Sequence, residues 1–325
     1  MQVVITGGAG FLGQRLARSL LKQGSLPDRN GQLQAISKIT LVDVAAAVGF
    51  DDARIEQVTG DITERALLER VITPQTAAVF HLAAVVSGQA EADFDLGMRI
   101  NLDASRLLLE RCRSCANVPR VIFTSSVAVF GGVLPAVVQD DTALNPQSSY
   151  GTQKAIAELL LNDYSRKGFV DGRVLRLPTI SVRPGKPNQA ASSFASGIIR
   201  EPLNGQPAVC PVAPDVRLWL LSPRKVIASL IHGCTLPAEA FGKSRTVNLP
   251  GISVTVADMV AALERVAGKQ VAARVEWVHD PAIDRIISSW PGAWDASRAT
   301  ALGFAGDAGF DDIVRAYMED DLPAA

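Results

Sequence analysis

The first 180 residues alternate short, continuous apolar runs with stretches in which apolar residues recur at helical spacing. Continuous apolar runs are typical of strands buried on both faces of a parallel sheet, and a period near 3.6 is typical of the helices that cover it. The predicted strands lie at positions 2–5, 39–43, 55–58, 78–80, 121–126 and 174–177. Their alternation with helices predicts a doubly wound parallel sheet of the α/β class.

The pattern changes after position 180. Residues 181–222 are rich in Pro, Gly, Ser and Asn and predict mainly loops, whereas residues 223–250 again predict a helix and a strand. The clearest helix beyond them covers about 254–268. We therefore predict a first domain of residues 1–180 plus about 223–250, and a smaller, mostly C-terminal domain of about 181–222 plus 251–325.

A glycine-rich turn separates the first predicted strand from the first predicted helix. Gly7, Gly10 and Gly13 follow at intervals of three, and Phe11 and Leu12 lie where the helix begins. Positions without a side chain permit a tight turn, let the backbone approach a pyrophosphate, and allow the helix to pack closely on the strand. The helix N-terminus also favours negative charge. The pattern therefore predicts a dinucleotide-binding turn.

An aspartate ends the second predicted strand. Asp43 lies about 30 residues beyond Gly13, farther than the usual spacing of about 20, and the polar insertion 23–38, predicted as an extended surface loop, accounts for the difference. A carboxylate here accepts hydrogen bonds from ribose hydroxyls and repels a 2′-phosphate, and Val44 and Ala45 offer no cation. NAD is therefore favoured over NADP. The alternative is an aspartate that only caps a turn.

A tyrosine and a lysine four residues apart are the candidate catalytic groups. Tyr150 and Lys154 leave the same face of a predicted helix. A neighbouring cation stabilises a phenolate, and lowering the tyrosine pKa by roughly three units needs about 4 kcal/mol. Tyr150 would then act as a general base. The pair alone is weak evidence, but Ser126 ends a predicted strand, where ligands bind in such sheets.

Charge and hydropathy exclude several classes of partner. Lys plus Arg total 32 against 33 for Asp plus Glu, a net charge of -1, and no basic block interleaves with aromatic residues. Nucleic acid is therefore not expected as a partner. No apolar run approaches the roughly 20 residues of a spanning helix, so we expect no membrane insertion and a soluble, cytoplasmic protein.

The cysteines and histidines do not predict a metal site. Cys112 and Cys115 form a C-x-x-C inside a predicted helix, but no second pair completes a zinc site, and four cysteines do not make a disulfide framework. His81 ends a predicted strand, and the other histidines, His232 and His279, are remote and isolated. We predict reduced thiols on a helix, a structural His81, and no bound metal.

Several motifs together resemble the extended short-chain dehydrogenase/reductase family, which includes the nucleotide-sugar epimerases. They are residues 6–13, Asp43, Gly60-Asp61-Ile62, residues 81–84, Asn101, Ser126, Tyr150 and Lys154. The resemblance covers essentially the whole chain and implies a Rossmann domain that binds NAD. The cofactor residues it implies are Gly7, Gly10, Phe11, Leu12, Gly13, Asp43, Asp61, Ile62, Leu82, Ala83, Ala84, Asn101, Ser126, Tyr150, Lys154 and Pro178.

Longer runs resemble the members of this family that oxidise small sugar acids. These runs are residues 81–88, 177–185, 192–197 and 217–223. Thr179 and Val182 replace an Asn and a Gly that nucleotide-sugar enzymes usually carry, which argues against a uridine diphosphate pocket. The resemblance implies hydride transfer from carbon 2 of a 2-hydroxy acid to NAD, with Ser126 holding the hydroxyl, Tyr150 removing its proton and Lys154 binding the nicotinamide ribose.

The predicted substrate is an anion, so its pocket needs a cation. Arginine binds a carboxylate through two parallel hydrogen bonds, and Arg217 and Arg183 are the candidates. Position in the chain adds hydroxyl groups that could hold the rest of a sugar acid. The predicted substrate residues are Ser87, Ser126, Tyr150, Thr179, Arg183, Ser192 and Arg217.

Other functions and an oligomeric state follow from the same resemblance. A nucleotide-sugar epimerase, a uronate dehydrogenase and a non-catalytic dinucleotide sensor remain as alternatives, although a sensor has no need of the complete set Ser126, Tyr150 and Lys154. Related enzymes pair two helices into a homodimer, which we expect here as well. The predicted apolar faces carry Leu102, Leu107, Leu108, Ala155, Leu159 and Leu160.

Overall fold

The computed structural model describes residues 1–115, 117–187 and 190–322. The strands are β1 (Gln2–Thr6), β2 (Ser25–Pro27), β3 (Leu33–Ala35), β4 (Lys38–Asp43), β5 (Ile55–Thr59), β6 (Thr76–His81), β7 (Arg120–Ser126), β8 (Asp171–Leu177), β9 (Thr179–Ile180), β10 (Ala208–Cys210), β11 (Arg217–Leu221), β12 (Thr246–Asn248), β13 (Ile252–Thr255) and β14 (Val275–Trp277).

The α-helices alternate with these strands through the first half of the chain and are more frequent in the second. They are α1 (Phe11–Gln23), α2 (Arg65–Val71), α3 (Ser87–Ala92), α4 (Phe94–Gly97), α5 (Ala104–Arg113), α6 (Ser149–Arg166), α7 (Phe194–Leu203), α8 (Pro223–Thr235), α9 (Val256–Ala267), α10 (Lys269–Ala272), α11 (Pro281–Ser288), α12 (Ser297–Ala301) and α13 (Phe310–Asp320).

The main sheet confirms the predicted doubly wound α/β fold. Within the described residues it holds seven parallel strands in the order β12-β8-β7-β6-β1-β4-β5. The strand order reverses between β1 and β6, which places a crevice at the carboxyl ends of these two strands. That crevice lies beside Thr6 and His81.

Two apolar layers cover the faces of the main sheet. On one face α1 and α8 contribute Leu16, Leu20 and Leu230 to a core shared with β1 and β8. On the other face α5 and α6 contribute Leu108 and Leu161. Because both faces are covered, the central strands β1, β6 and β7 are mainly apolar, as their sequence pattern predicts, whereas the edge strand β5 carries exposed polar residues.

A second apolar core forms the smaller part of the molecule. It is built around α7, α9 and α13, with Ile198, Met259 and Ile313 fully buried. Helix α8 and strand β12 join the main sheet and its core.

The predicted boundaries differ from the structure at two places. Strand β9 already pairs with β11 of the smaller part, and residues 299–304, expected in the smaller domain, pack on the main core because Ala299 and Phe304 lie against α8. Residues 323–325 of the predicted second domain lie outside the described residues.

Two local predictions need correction. The insertion 23–38, predicted as a loop, contains the antiparallel hairpin β2-β3, whose turn is closed by Asp28 accepting from the backbone of Asn30 and Gln32. The apolar spacing predicts one long helix over about 93–113, which is instead interrupted by a π-helical turn at Met98–Asp103. No helix among the described residues combines the length and apolar character needed to cross a membrane.

Candidate active site

A groove of about 600 Å³ runs across the carboxyl ends of β4, β1, β6, β7 and β8. We call its side near β4 and β5 the nucleotide end and its side near β7 and β8 the substrate end. Its wall contains most of the predicted cofactor residues. These are Gly7, Gly10, Phe11, Leu12, Gly13, Asp43, Asp61, Ile62, Leu82, Ala83, Ala84, Tyr150 and Lys154.

The glycine turn is packed so closely that side chains do not fit. Gly7 has a φ of +72°, and a Cβ added there would lie 2.8 Å from the backbone nitrogen of Ala83. A Cβ at Gly13 would collide with the carbonyl oxygen of Gly7. The backbone nitrogen of Gly10 donates to the same carbonyl over 3.1 Å, which closes the turn. The turn thus brings the N-terminus of α1 to the groove, where free N–H groups favour an anion.

Asp43 belongs to the groove wall and also braces the glycine turn. Its Oδ2 accepts from the backbone nitrogen of Ala9 over 3.0 Å, and its Oδ1 accepts from that of Val44 over 2.8 Å. Asp43 therefore does cap a turn, which is the alternative named from the sequence, and its carboxylate also faces the groove. The guanidinium of Arg18 reaches the following loop, where it donates to the carbonyl of Val48 and lies over the ring of Phe50.

The groove fits a dinucleotide in a second respect, which the sequence did not indicate. Ser125 is 2% exposed and lines the groove, and its hydroxyl oxygen has no hydrogen-bond partner among the described residues. A buried hydroxyl without a partner is costly unless a ligand satisfies it. The available signal was its place next to Ser126 at the end of β7. The other unpredicted wall residues are Val44, Gly60, Val85, Val86, Gln89, Leu96, Arg99, Ile100, Thr124, Leu177 and Ile180.

Ser126 and Tyr150 are brought together by the start of α6. The hydroxyl of Ser148 caps this helix by accepting from the backbone nitrogen of Gly151 over 3.2 Å. A Cβ at Gly151 would collide with the carbonyl of Ala128, so glycine lets the helix pack directly on the turn that follows Ser126. The start of the helix that carries Tyr150 is thereby packed on the residues that follow Ser126.

Lys154 is buried beneath Tyr150. Its ammonium donates to the carbonyl of Thr124 over 2.9 Å and lies 4.6 Å from the ring centre of Phe123 and 5.7 Å from that of Tyr150. Burial lowers the pKa of Lys154 to about 7, and the charge of Glu158 acts in the opposite direction. Lys154 is therefore poised to lose its proton near neutral pH.

The pKa of Tyr150 does not follow the expectation from the sequence. Burial raises it to about 12, while the hydrogen bond with Ser126 and the charge of Arg183 lower it. The prediction that Lys154 alone brings the phenol near neutrality is wrong for the chain by itself, because low-polarity surroundings oppose the phenolate and the ammonium points to the Thr124 carbonyl.

Three of the predicted substrate residues lie close together, at or beside the substrate end of the groove. Arg183 lines it, and its Nη2 lies 3.5 Å from the hydroxyl of Ser192. Burial, and then the neighbouring Arg200, lower the pKa of Arg183 to about 10, which leaves it protonated at neutral pH. Ser87 is buried beside them, where its hydroxyl accepts from the backbone nitrogen of Ala191 and joins α3 to the segment before α7.

Arg217 and Thr179 are not brought to the groove. Leu218 and Leu220 occupy the core-facing positions of β11, so Arg217 takes the exposed face, where it donates to the carbonyl and hydroxyl of Ser253. Thr179 is buried in the pairing of β9 with β11. Of the two predicted arginines, Arg183 is consequently the one that lies in the groove wall.

Besides Ser126, two predicted cofactor residues lie outside the groove wall. Pro178 is buried between β8 and β9. The Asn101 side chain makes its hydrogen bonds within the protein. Its oxygen accepts from the backbone nitrogen of Val85, and its nitrogen donates to the Val85 carbonyl and, over 2.8 Å, to Gln153. Asn101 therefore ties the loop after β6 to the helix that carries Tyr150 and Lys154.

The histidine and the two cysteines considered in the sequence analysis are buried in the protein. His81 is buried between the hydroxyls of Thr6 and Ser105, and burial lowers its pKa to about 3, so it is neutral. Cys112 and Cys115 are buried free thiols. Among residues 1–115, 117–187 and 190–322, no three His, Cys, Asp or Glu side chains are grouped as a metal site.

Comparison with known proteins agrees with a dinucleotide-binding site in the groove. A model of the NAD dependent epimerase/dehydratase family matches residues 3–219. The chain is 67% identical to D-erythronate dehydrogenase of Cupriavidus necator over 98% of both chains, and 48% identical to D-erythronate dehydrogenase of Haemophilus influenzae over 99% of this chain and all of the relative.

A solved structure, described as the nucleoside-diphosphate-sugar epimerase from Agrobacterium tumefaciens, is 43% identical and superposes with a TM-score of 0.92 over 100% of this chain and 95% of the other. The family match, the strand order and the glycine turn agree with the resemblance seen in the sequence. The chain belongs to the NAD dependent epimerase/dehydratase family.

Proposed function

We propose that the protein is an NAD-dependent dehydrogenase that oxidises the C2 hydroxyl of a sugar acid, with D-erythronate as substrate and 2-dehydro-D-erythronate as product. The observation that carries the proposal is that Tyr150 and Arg183 both lie in the wall at the substrate end of the groove, next to the strand that ends at Ser126. A proton acceptor, a hydroxyl partner and a carboxylate partner are the groups that this reaction requires. The names of the relatives from Cupriavidus necator and Haemophilus influenzae support the same substrate.

Each step on the substrate is assigned to a residue of the chain. Arg183 binds the carboxylate, Ser126 holds the C2 hydroxyl, and Tyr150 takes the hydroxyl proton as the carbonyl forms. When bound, NAD would supply the acceptor for the C2 hydride. The Arg183 guanidinium favours the phenolate and opposes the burial that holds the pKa of Tyr150 at about 12.

NAD, rather than NADP, is the dinucleotide that we propose. The Asp43 carboxylate faces the nucleotide end of the groove and would repel a 2′-phosphate. Arg18, a cation at this edge, is bonded to the Val48 carbonyl and stacked on Phe50. The remaining wall residues that the sequence predicted as cofactor contacts hold the adenosine and pyrophosphate in this proposal.

A nucleotide-sugar epimerase is the second candidate, because the 43% identical structure from Agrobacterium tumefaciens is described as one. An epimerase returns its hydride to the substrate and releases no net NADH. A uronate dehydrogenase would release NADH from a different acid, and a dinucleotide sensor would bind NAD without turnover. The alternatives therefore differ in what a simple absorbance assay records.

The test is to mix the purified protein with NAD and follow NADH absorbance against D-erythronate, its stereoisomers, uronic acids and UDP-sugars. We expect stoichiometric NADH from D-erythronate. NADH from a uronic acid alone would change the substrate and keep the chemistry. Conversion of a UDP-sugar without net NADH would replace the proposal with the epimerase.

We further propose a cytoplasmic homodimer. Leu159, Ile156 and Phe94 are 65%, 37% and 58% exposed on neighbouring helices, which supports an apolar contact with a second copy. Leu108 and Ala155, which the sequence assigned to this contact, are instead buried in the cores of the protomer. The cytoplasmic location is supported by the four free thiols. Light scattering that gives the mass of one chain would remove the dimer.

A further inference from the structure

Among the described residues, Glu158 is the acidic side chain whose charge raises the pKa of Lys154. Glu158 follows it by one turn of α6, and both side chains are 1% exposed. The other titratable groups that face Lys154 are the Tyr150 phenol from the same helix and the imidazole of His81 from β6, which is neutral. The carbonyl of Thr124 from β7 accepts a hydrogen bond from the Lys154 ammonium. Glu158 is thus the residue positioned to favour the charged form of Lys154.

Glu158 is held in place from the neighbouring strand. Nε of Arg176 lies 3.0 and 3.2 Å from the two carboxylate oxygens, and Nη2 lies 2.7 Å from Oε2. Arg176 is itself 7% exposed and packs on the ring of Phe130. A carboxylate without such a partner would be costly at this depth, so Arg176 lets Glu158 stay ionised next to Lys154.

The pair of Glu158 and Arg176 belongs to a longer network of hydrogen bonds and ion pairs. Nη1 of Arg176 donates to Asn248 over 3.2 Å, and Asn248 donates to Asp140 over 3.0 Å. Asp140 lies 3.7 Å from Arg298, which is fixed by the carbonyls of Thr246 and Phe241. The orientation of Arg176 is therefore set by β12 and α12, and it leaves its Nε side to Glu158.

We propose that Glu158, oriented by Arg176, is a positioning residue that keeps a shared proton on Lys154 and off Tyr150. One proton can be distributed over the two groups in two ways, as neutral tyrosine with neutral lysine or as phenolate with ammonium. Both forms carry the same number of protons, but only the second contains the base of the proposed reaction. The carboxylate stabilises the ammonium and therefore the second form.

The contribution of Glu158 matters because burial acts on the pKa of both Tyr150 and Lys154. In the chain alone, burial raises the pKa of Tyr150 to about 12 and lowers that of Lys154 to about 7, and both changes favour the neutral form. The charge of Glu158 raises the pKa of Lys154 and opposes this effect. Loss of the carboxylate should lower the active fraction about tenfold, the order expected for a buried charge roughly one helical turn away and partly compensated by Arg176.

The direct test titrates Lys154 by NMR in protein labelled with carbon-13 at lysine Cε, with Lys154→Arg identifying the resonance. The wild type should titrate near neutral pH, and Glu158→Gln should titrate about one pH unit lower. This measurement needs neither cofactor nor substrate. An unchanged midpoint in Glu158→Gln would overturn the proposal.

The second test is the pH dependence of kcat/KM for NADH formation, and this part rests on the proposed function. Glu158→Gln should match the wild type at low pH, where the rate depends only on loss of the Tyr150 proton, and should level off earlier at a plateau about tenfold lower. A role confined to folding would lower the rate by the same factor at every pH. Parallel profiles would therefore contradict the proposal.

Asp171→Asn is the matched control. Asp171 is a buried carboxylate at the opposite end of β8, where it bonds Arg173 and Arg245. Its loss should destabilise the fold and leave the Lys154 midpoint and the shape of the pH profile unchanged. An equal shift in this control would overturn the assignment to Glu158.

A double variant guards against misfolding. Glu158→Gln leaves the Arg176 charge buried without its partner. The double variant Glu158→Gln with Arg176→Gln removes both charges, so it should unfold at a higher temperature than Glu158→Gln alone. It should still titrate Lys154 at a lower pH than the wild type. An unshifted midpoint in the folded double variant counts against the proposal. Absence of NADH from every acid, together with a shifted midpoint, would reject the proposed function and retain this role of Glu158.

Discussion

The two ends of the groove are built from different parts of the chain. At the nucleotide end, the wall is the backbone of a glycine turn and of strand ends, with Asp43 as its main charged side chain. At the substrate end, the chemistry belongs to side chains, among them Tyr150 from a helix and Arg183 from a loop. The family fold determines the first, whereas a few side chains determine the second. Relatives with the same fold can therefore carry different substrate names.

The largest effect is expected from Tyr150→Phe at the substrate end. Removing the proton acceptor should lower kcat by about 10³-fold or more, because general base catalysis contributes on the order of 10² to 10⁴. NAD affinity, measured by tryptophan fluorescence, should change little, since the ring and its packing remain. A variant that keeps a tenth of the activity would show that Tyr150 is not the base.

The nucleotide end should be most sensitive to Gly13→Ala. The added methyl group would collide with the Gly7 carbonyl, so the turn must move, and we expect a loss of about 2 kcal/mol in the free energy of unfolding and of about 100-fold in NAD affinity. Gly309→Ala is the control, because its φ is −170° and its Cβ would meet open space. Equal NAD affinity in both variants would refute the close fit of the turn.

These two ends also differ in how far the sequence could predict them. The glycine spacing, Asp43 and the strand ends were recognisable because backbone requirements leave characteristic residues at characteristic intervals. The substrate end depends on burial and on the phase of short strands. Arg217 was a candidate until the pairing of β11 showed its exposed face, and the high pKa of Tyr150 follows from packing that no spacing reveals.

Arg183→Gln should sharpen the distinction between the two arginines. Loss of a charge-assisted carboxylate contact should raise the KM for the sugar acid about 30-fold. Because the Arg183 charge lowers the pKa of Tyr150, its removal should raise that pKa and move the acid limb of kcat/KM to higher pH.

Arg217→Gln serves as the matched control for this variant, since its guanidinium bonds Ser253 away from the groove. We expect wild-type KM and an unshifted pH profile. The opposite result, a normal Arg183→Gln and an impaired Arg217→Gln, would reassign the carboxylate partner.

The smallest effect is expected for Asp43→Asn at the nucleotide end. The amide oxygen can still accept from the Ala9 backbone, so the turn should persist while the negative charge is lost. We expect NAD affinity to fall about fivefold to tenfold and the preference for NAD over NADP to shrink, because repulsion of the 2′-phosphate disappears. Unaltered discrimination in competitive binding would show that Asp43 only braces the turn.

The most direct measurement of the proposed reaction follows deuterium from carbon 2 of D-erythronate. The substrate is labelled at C2 and incubated with the protein and NAD, and the reduced dinucleotide is analysed by mass spectrometry. Tyr150 and Arg183 as assigned here predict one deuterium in each NADH, with a 2-oxo acid as the other product. Unlabelled NADH, or recovery of the acid with no NADH formed, would contradict oxidation at C2 and the function proposed for this groove.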